Sequence, residues 1–205
     1  MTNHQIRHFF IDVSGVIILN KKVDFRSLDK RLGLKEGTAK RFVYDCVART
    51  RKDPKFDLKA YIAEAYKDVI SPEAFQKILG QIHNSEYPNF ELIKWVASLK
   101  KKNPDILISI LSSNTKPLGK LLRNKIKGKD LPVDHTFVAK EIGYIKSDKR
   151  YFEYILKVLK TKPADCLFVD DKKENIQKAE KLGLNGVQFV SNHKLFKDIK
   201  KYGLL

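Results

Sequence analysis

The stretch FFIDVSGVI, residues 9–17, decides the fold. It opens as an unalternated apolar run, the pattern of a parallel strand covered on both faces, and then breaks off on a carboxylate, Asp12. The strand reads as His8 to Val13, and Ile106 to Leu111, Cys166 to Val169 and Val187 to Val190 repeat the pattern. Between the later runs lie segments with apolar residues three and four apart: Lys116 to Ile126, Asp148 to Leu159, with Ser147 placed to cap it, and Glu174 to Leu182. Strands alternating with helices in this way predict an α/β fold, a Rossmann-like doubly wound parallel sheet.

Residues 20–86 interrupt that rhythm. No convincing strand occurs there, and helices are expected at Phe25 to Leu32, Thr38 to Thr50, Leu58 to Asp68 and Pro72 to His83. Ser71 caps the last of these, with Pro72 at its first position. The expected organisation is a core of residues 1–19 and 87–205 with an all-helical insertion, 20–86, after the first strand. A helix from Phe90 to Lys101, with Trp95 turned inward, returns the chain to the sheet.

Composition bounds the function. With 42% hydrophobic residues in 205, the chain is long enough to bury a core. No long apolar segment suggests a membrane span or a secretory leader, so the expected setting is soluble and cytoplasmic. Cys46 and Cys166 are too few for a disulfide framework and read as reduced thiols. The net charge of +17 would attract nucleic acid or anionic metabolites. However, the lysines are scattered over every expected helix and no nucleic-acid motif accompanies them, so a nucleic-acid partner is not expected.

In an open α/β sheet the ligand site lies beyond the carboxyl ends of the strands. Asp12, Ser14 and Gly15 end the first strand, Ser112, Ser113 and Asn114 the second, and Asp170 and Asp171 the Cys166 strand, while Lys146 precedes a helix. Each alone has a plain reading as turn chemistry, helix cap or surface charge. Together they are carboxylates converging from two strands with a hydroxyl and a cation, a group that repels itself unless a divalent ion such as Mg²⁺ neutralises it. Such a centre receives a phosphoryl group, and an aspartate beside it can act as nucleophile.

These four segments, FFIDVSGVI, ISILSSN, GYIKSD and CLFVDDKKEN, resemble in order the motifs of the haloacid dehalogenase-like hydrolase superfamily. The resemblance extends to the helical insertion, which is similar to the small mobile cap of one large subgroup. It implies that Asp12 is a nucleophile forming an aspartyl intermediate, most often an aspartyl phosphate, and that Ser113 and Asn114 bind the transferring group. Lys146 would hold the nucleophile and the developing charge, and Gly15 would let the backbone pass close to the substrate. Asp12, the Ser14 carbonyl, Asp170 and Asp171 would bind Mg²⁺, with Asp171 favoured as the inner ligand, and Asn175 would brace the fourth loop.

Ser14 departs from the pattern. Phosphatases of the superfamily carry an aspartate there, which protonates the leaving group and then activates water; serine is too weak an acid for either task. General acid–base help is worth roughly 10² to 10⁴ in rate, so its loss raises the barrier by about 3–5 kcal/mol. Three readings follow. The protein is a weak Mg²⁺-dependent phosphatase of small phosphorylated metabolites, suited to activated esters. Alternatively, it is a catalytically impaired module that binds a phosphorylated ligand or a protein, or a 2-haloacid dehalogenase-type hydrolase, although that branch usually carries tyrosine there and needs no Mg²⁺. The cap would select the substrate, with Arg49, Arg51 and His83 as anion-contacting candidates against a simpler surface reading, and Tyr44 and Tyr66 as core.

Overall fold

The computed structural model describes residues 5–113 and 131–204, and all structural statements concern these. Along them run β1 (His8–Asp12), β2 (Ile18–Asn20), α1 (Phe25–Leu32), α2 (Thr38–Lys52), α3 (Leu58–Ala65), α4 (Pro72–Ser85), β3 (Glu86–Pro88) and α5 (Phe90–Lys102). There follow β4 (Leu107–Ser112), β5 (His135–Val138), α6 (Ala139–Ile142), α7 (Lys149–Leu159), β6 (Cys166–Asp170), α8 (Lys173–Lys181), β7 (Asn185–Gln188) and α9 (Asn192–Ile199). Contacts divide the chain into two compact units, one up to Leu19 and from Pro88 on, the other Asn20–Tyr87.

The first unit is a five-stranded sheet in the order β5-β4-β1-β6-β7, with every neighbouring pair parallel. All five residues of β1 and of β6 are buried, which explains why both read as unbroken apolar runs. Alternate residues serve opposite faces. Phe9 and Ile11 join Ile108, Ile110, Leu167 and Val169 in a core with Leu92 and Val96 of α5 and Leu195 of α9. Phe10, Leu111 and Phe168 pack on the other face against Tyr151, Phe152 and Ile155 of α7 and Ile176 of α8. Helices therefore cover both faces, as the alternation of strands and helices predicts, and Trp95 packs inward on Phe9 with ring centroids 5.7 Å apart.

Several local expectations are corrected. β5 was not anticipated: it is an edge strand whose first two residues, His135 and Thr136, are exposed, so HTFV carries too little apolar character to be recognised. β7 lies two residues earlier than Val187 to Val190, and Val190 is exposed beyond its end. The cap of α7 is Asp148, which accepts from the Arg150 amide at 2.9 Å, and not Ser147. β2 and β3, three residues each, pair as a separate two-stranded sheet. The expected helix Lys116 to Ile126 falls outside the described residues.

The second unit packs α1 to α4 around Leu28, Phe42, Ile70, Ala74 and Ile78. Ser71 caps α4 through the Ala74 amide at 3.2 Å, with Pro72 in the first turn. The α2 terminus is held differently. Its own cap position is Gly37, and the capping oxygens come from α1: buried Asp29 accepts from Gly37 N at 2.7 Å and Ala39 N at 2.8 Å. Asp29→Ala is therefore expected to destabilise this unit by about 1.5–3 kcal/mol, the range for hydrogen bonds to a charged group. The check is the denaturant midpoint together with amide exchange at Ala39, which should accelerate first. Tyr44, expected in the core, is 63% exposed and stacks edge-on with Phe25, whereas Tyr66 packs against Phe42 with centroids 4.8 Å apart.

Candidate active site

The chain runs from β1 to β4 and β5 on one side of the sheet and to β6 and β7 on the other, so the strand order reverses between β1 and β6. In open α/β sheets ligands bind at this reversal, outside the carboxyl ends of the strands. The register there pairs Ile11 with Val169, and the next residue on each strand is an aspartate, Asp12 and Asp170. Both are buried, and both point to the face shared by Phe10 and Phe168.

Two buried carboxylates side by side are stable only with a partner. Lys146, 1% exposed, supplies it: its ammonium donates to Asp12 Oδ1 and, at 3.0 Å, to Asp170 Oδ2. Burial pushes the Asp12 carboxyl up to about 6, with Lys146 opposing the rise and Asp170 adding to it. For Lys146, burial alone would lower the pKa, but the two carboxylates outweigh it and hold the ammonium above its ordinary value.

A pH dependence follows for the metal-free protein. Between the ordinary value of 3.8 and about 6, native Asp12 holds a proton that the unfolded chain has released. Its contribution to stability therefore falls as pH rises through that window and is least favourable above it. Asp12→Asn should gain on the wild type as pH rises from the ordinary value of 3.8 to about 6, and hold that gain above it, in denaturant titrations with chelator. A difference that stays flat with pH would show that this carboxyl does not titrate there.

The remaining donors separate the two neighbouring aspartates. Asp170 accepts from Lys172 N at 2.8 Å and from Asn175 Nδ2 at 3.1 and 3.0 Å, besides Lys146, so both its oxygens are taken by protein groups. Asn175 thus braces the loop. The Asp171 carboxylate turns instead toward the bend after β1, where Gly15 sits at φ +90° and a Cβ would stand 2.8 Å from Asp171 Oδ2. Only glycine combines that backbone angle with that approach. The bend is closed by Gly15 N to Ile18 O at 2.7 Å and Ile18 N to Val13 O at 2.8 Å. Ser14 is exposed on it.

Oxygens of Asp12, Asp170 and Asp171 lie within 4.8 Å of one another, a hard-oxygen set of the kind that suits Mg²⁺. Ser113 is half-buried one residue beyond β4, and Asn114 lies outside the described residues. The candidates of the helical unit are engaged within it: Arg49 pairs with Asp45 at 3.0 Å and lies 4.3 Å over the Tyr61 ring, and His83 Nδ1 is 3.9 Å from Glu86. Nothing is described of the Arg51 side chain. Cys46 and Cys166 are buried, their thiols pushed up to about 11 and about 12 by burial, and so stay protonated. Sequence reasoning missed Lys172, whose ammonium pairs with Asp171 Oδ2 at 2.8 Å.

The strand order and the carboxylates at the strand ends define one class of protein, the α/β folds with a candidate site at the switch point of a parallel sheet. Within that class the family is shown: the haloacid dehalogenase-like hydrolase model matches residues 6–183, and the chain belongs to this family. Flavin mononucleotide hydrolase 1 of Arabidopsis thaliana is 30% identical over 69 residues, 34% of this chain and 28% of its own. The chain spans less than a third of the length of the curated relatives it matches, 16% to 30%. In fold it is similar to a haloacid dehalogenase family enzyme of Bacteroides thetaiotaomicron solved with magnesium and inorganic phosphate, with a TM-score of 0.68 and 18% identity over 94% of this chain and 100% of that one. The L-2-haloacid dehalogenase of Xanthobacter autotrophicus, solved with chloropropionic acid covalently bound, matches with a TM-score of 0.62 and 14% identity over 98% and 85% of the two chains. Among the described residues no helix is long and apolar enough to cross a membrane.

Proposed function

We propose that the protein is a Mg²⁺-dependent phosphatase of small phosphorylated metabolites that works through an aspartyl phosphate on Asp12, with the helical unit as its substrate-selecting cap. The observation that carries this reading is the buried pairing of Asp12 with Lys146 inside a cluster of three carboxylates. Lys146 sets its ammonium against Asp12, and Asp171 is left turned toward the bend after β1. Asp12, Asp171 and the Ser14 carbonyl would hold the metal, with Asp170 as the strut that fixes Lys146 and Asn175 beside it. Bound Mg²⁺ would neutralise the phosphoryl oxygens and the crowded carboxylates.

The chain's own groups then divide the work. A carboxylate oxygen of Asp12 attacks phosphorus as the bond to the leaving oxygen breaks. Lys146 keeps Asp12 ionised and offsets the charge that builds on the phosphoryl group, and Ser113 donates a hydrogen bond to it. Ser14 can neither protonate the departing oxygen nor activate the water that later attacks the aspartyl phosphate. Acyl and aryl phosphates, whose leaving groups depart without a proton, are therefore the favoured substrates, and alkyl phosphates such as sugar phosphates turn over slowly.

The test is a Mg²⁺-dependent assay of phosphate release from acetyl phosphate, p-nitrophenyl phosphate and sugar phosphates. Activated substrates should turn over faster by a factor within about 10² to 10⁴, the worth of the missing acid–base group. Ser14→Asp should raise alkyl phosphate hydrolysis by about tenfold or more. If no substrate turns over although Mg²⁺ binds, the site belongs to a binding module; chloride release from 2-chloropropionate without metal would mean a dehalogenase.

A further inference from the structure

Asp170 and Asp171 are adjacent in sequence and differently employed. The first is saturated by Lys146, Asn175 and the Lys172 amide, while the second is paired with the Lys172 ammonium at 2.8 Å. The main chain around that pair is tied on both sides: Asp171 O accepts from Gln188 Nε2 at 3.1 Å, and Lys172 N is bound to Asp170 at 2.8 Å. Lys172's side chain, by contrast, is 43% exposed. A lysine ammonium is a compact charge on a flexible stem, so the backbone is fixed and the cation is movable. With three carboxylates and one buried ammonium the cluster carries two net negative charges, and Lys172 removes one of them without any metal.

We propose that Lys172 is a tethered counter-cation that competes with the divalent ion for Asp171 and so sets the metal affinity of the site. The inference rests on the Mg²⁺ reading above and goes beyond it by naming the residue that opposes binding. Mg²⁺ entering beside Asp171 displaces the ammonium, which swings toward solvent, and the affinity observed is the intrinsic one reduced by that competition. A half-exposed ion pair adds little to folding stability. It still weighs on metal binding, because the incoming ion must break it and then share the site with a nearby positive charge.

Titration calorimetry with Mg²⁺ alone tests this, with the gain in thermal midpoint on Mg²⁺ addition as a second readout. Lys172→Gln keeps the main-chain bond to Asp170 and removes the charge; it should bind Mg²⁺ about fivefold more tightly or better, the factor expected for one unit charge a few ångströms away in a wet site. Lys172→Arg should stay near the wild type, Lys173→Gln on the same helix should change affinity less than twofold, and the gap between Lys172→Gln and wild type should narrow at high salt. Equal affinity in wild type and Lys172→Gln, or the same tightening in Lys173→Gln, overturns the assignment of Lys172 and leaves the Mg²⁺ site standing. Absence of Mg²⁺ binding in every variant overturns both.

Discussion

Asp12→Asn is expected to lose about 10³-fold or more of the Mg²⁺-dependent turnover of p-nitrophenyl phosphate, since removing a covalent nucleophile ordinarily costs at least that much. The fold should survive. Asparagine has the shape of aspartate, and Lys146 retains its 3.0 Å bond to Asp170, so the ammonium is not left alone in the interior. The substitution also removes a carboxyl whose burial already disfavours its charge. Loss of turnover without loss of stability, the denaturant midpoint in chelator near neutral pH lying at or above that of the wild type, is the expected pair of results. Turnover within tenfold of the wild type would remove Asp12 from the chemistry.

The second large effect is on stability. Lys146 is 1% exposed and lies between Asp12 and Asp170, so Lys146→Met leaves two buried carboxylates facing each other without a counter-charge. Breaking a buried pair in this way typically costs 3–5 kcal/mol, and for a protein of this length each kcal/mol lowers the thermal midpoint by about 2–4 °C. A fall of roughly 6–20 °C is therefore expected in metal-free calorimetry near neutral pH. Adding Asp170→Asn to Lys146→Met should recover part of the loss, because it removes one of the stranded charges. A single variant within about 1 kcal/mol of the wild type would mean that the charges find other partners.

How much of this was legible in the sequence depended on whether the cause was local. β1 and β6 were readable because both faces of each are buried and each ends on a carboxylate, so five adjacent letters carry the signal. The α4 cap was readable because Ser71 and Pro72 act on their own helix. β5 was not, since an edge strand with two exposed residues looks like a loop. The device that holds the start of α2 was also hidden: its capping oxygens belong to Asp29, ten residues before Ala39 and on another helix.

The site shows the same division. Asp12, Lys146, Asp170 and Asp171 stand at strand ends or helix starts, where position alone marks them. The difference between Asp170 and Asp171 is invisible in the letters DD. It arises from the Lys146, Asn175 and Lys172 amide bonds on one side and the Gly15 bend on the other. Lys172 looked like one more lysine in a lysine-rich chain until the bend brought Asp171 into view.

The measurement that bears most directly on the central claim is the identification of the covalent species. Protein mixed with Mg²⁺ and acetyl phosphate or p-nitrophenyl phosphate is quenched in acid, digested and analysed by mass spectrometry. The account predicts a phosphoryl group on Asp12 in the wild type, accumulating before the quench because residue 14 offers no carboxylate to activate water in the folded site, and shortened in lifetime by Ser14→Asp. Steady Mg²⁺-dependent turnover with no adduct on Asp12, and with activity retained in Asp12→Asn, would contradict it.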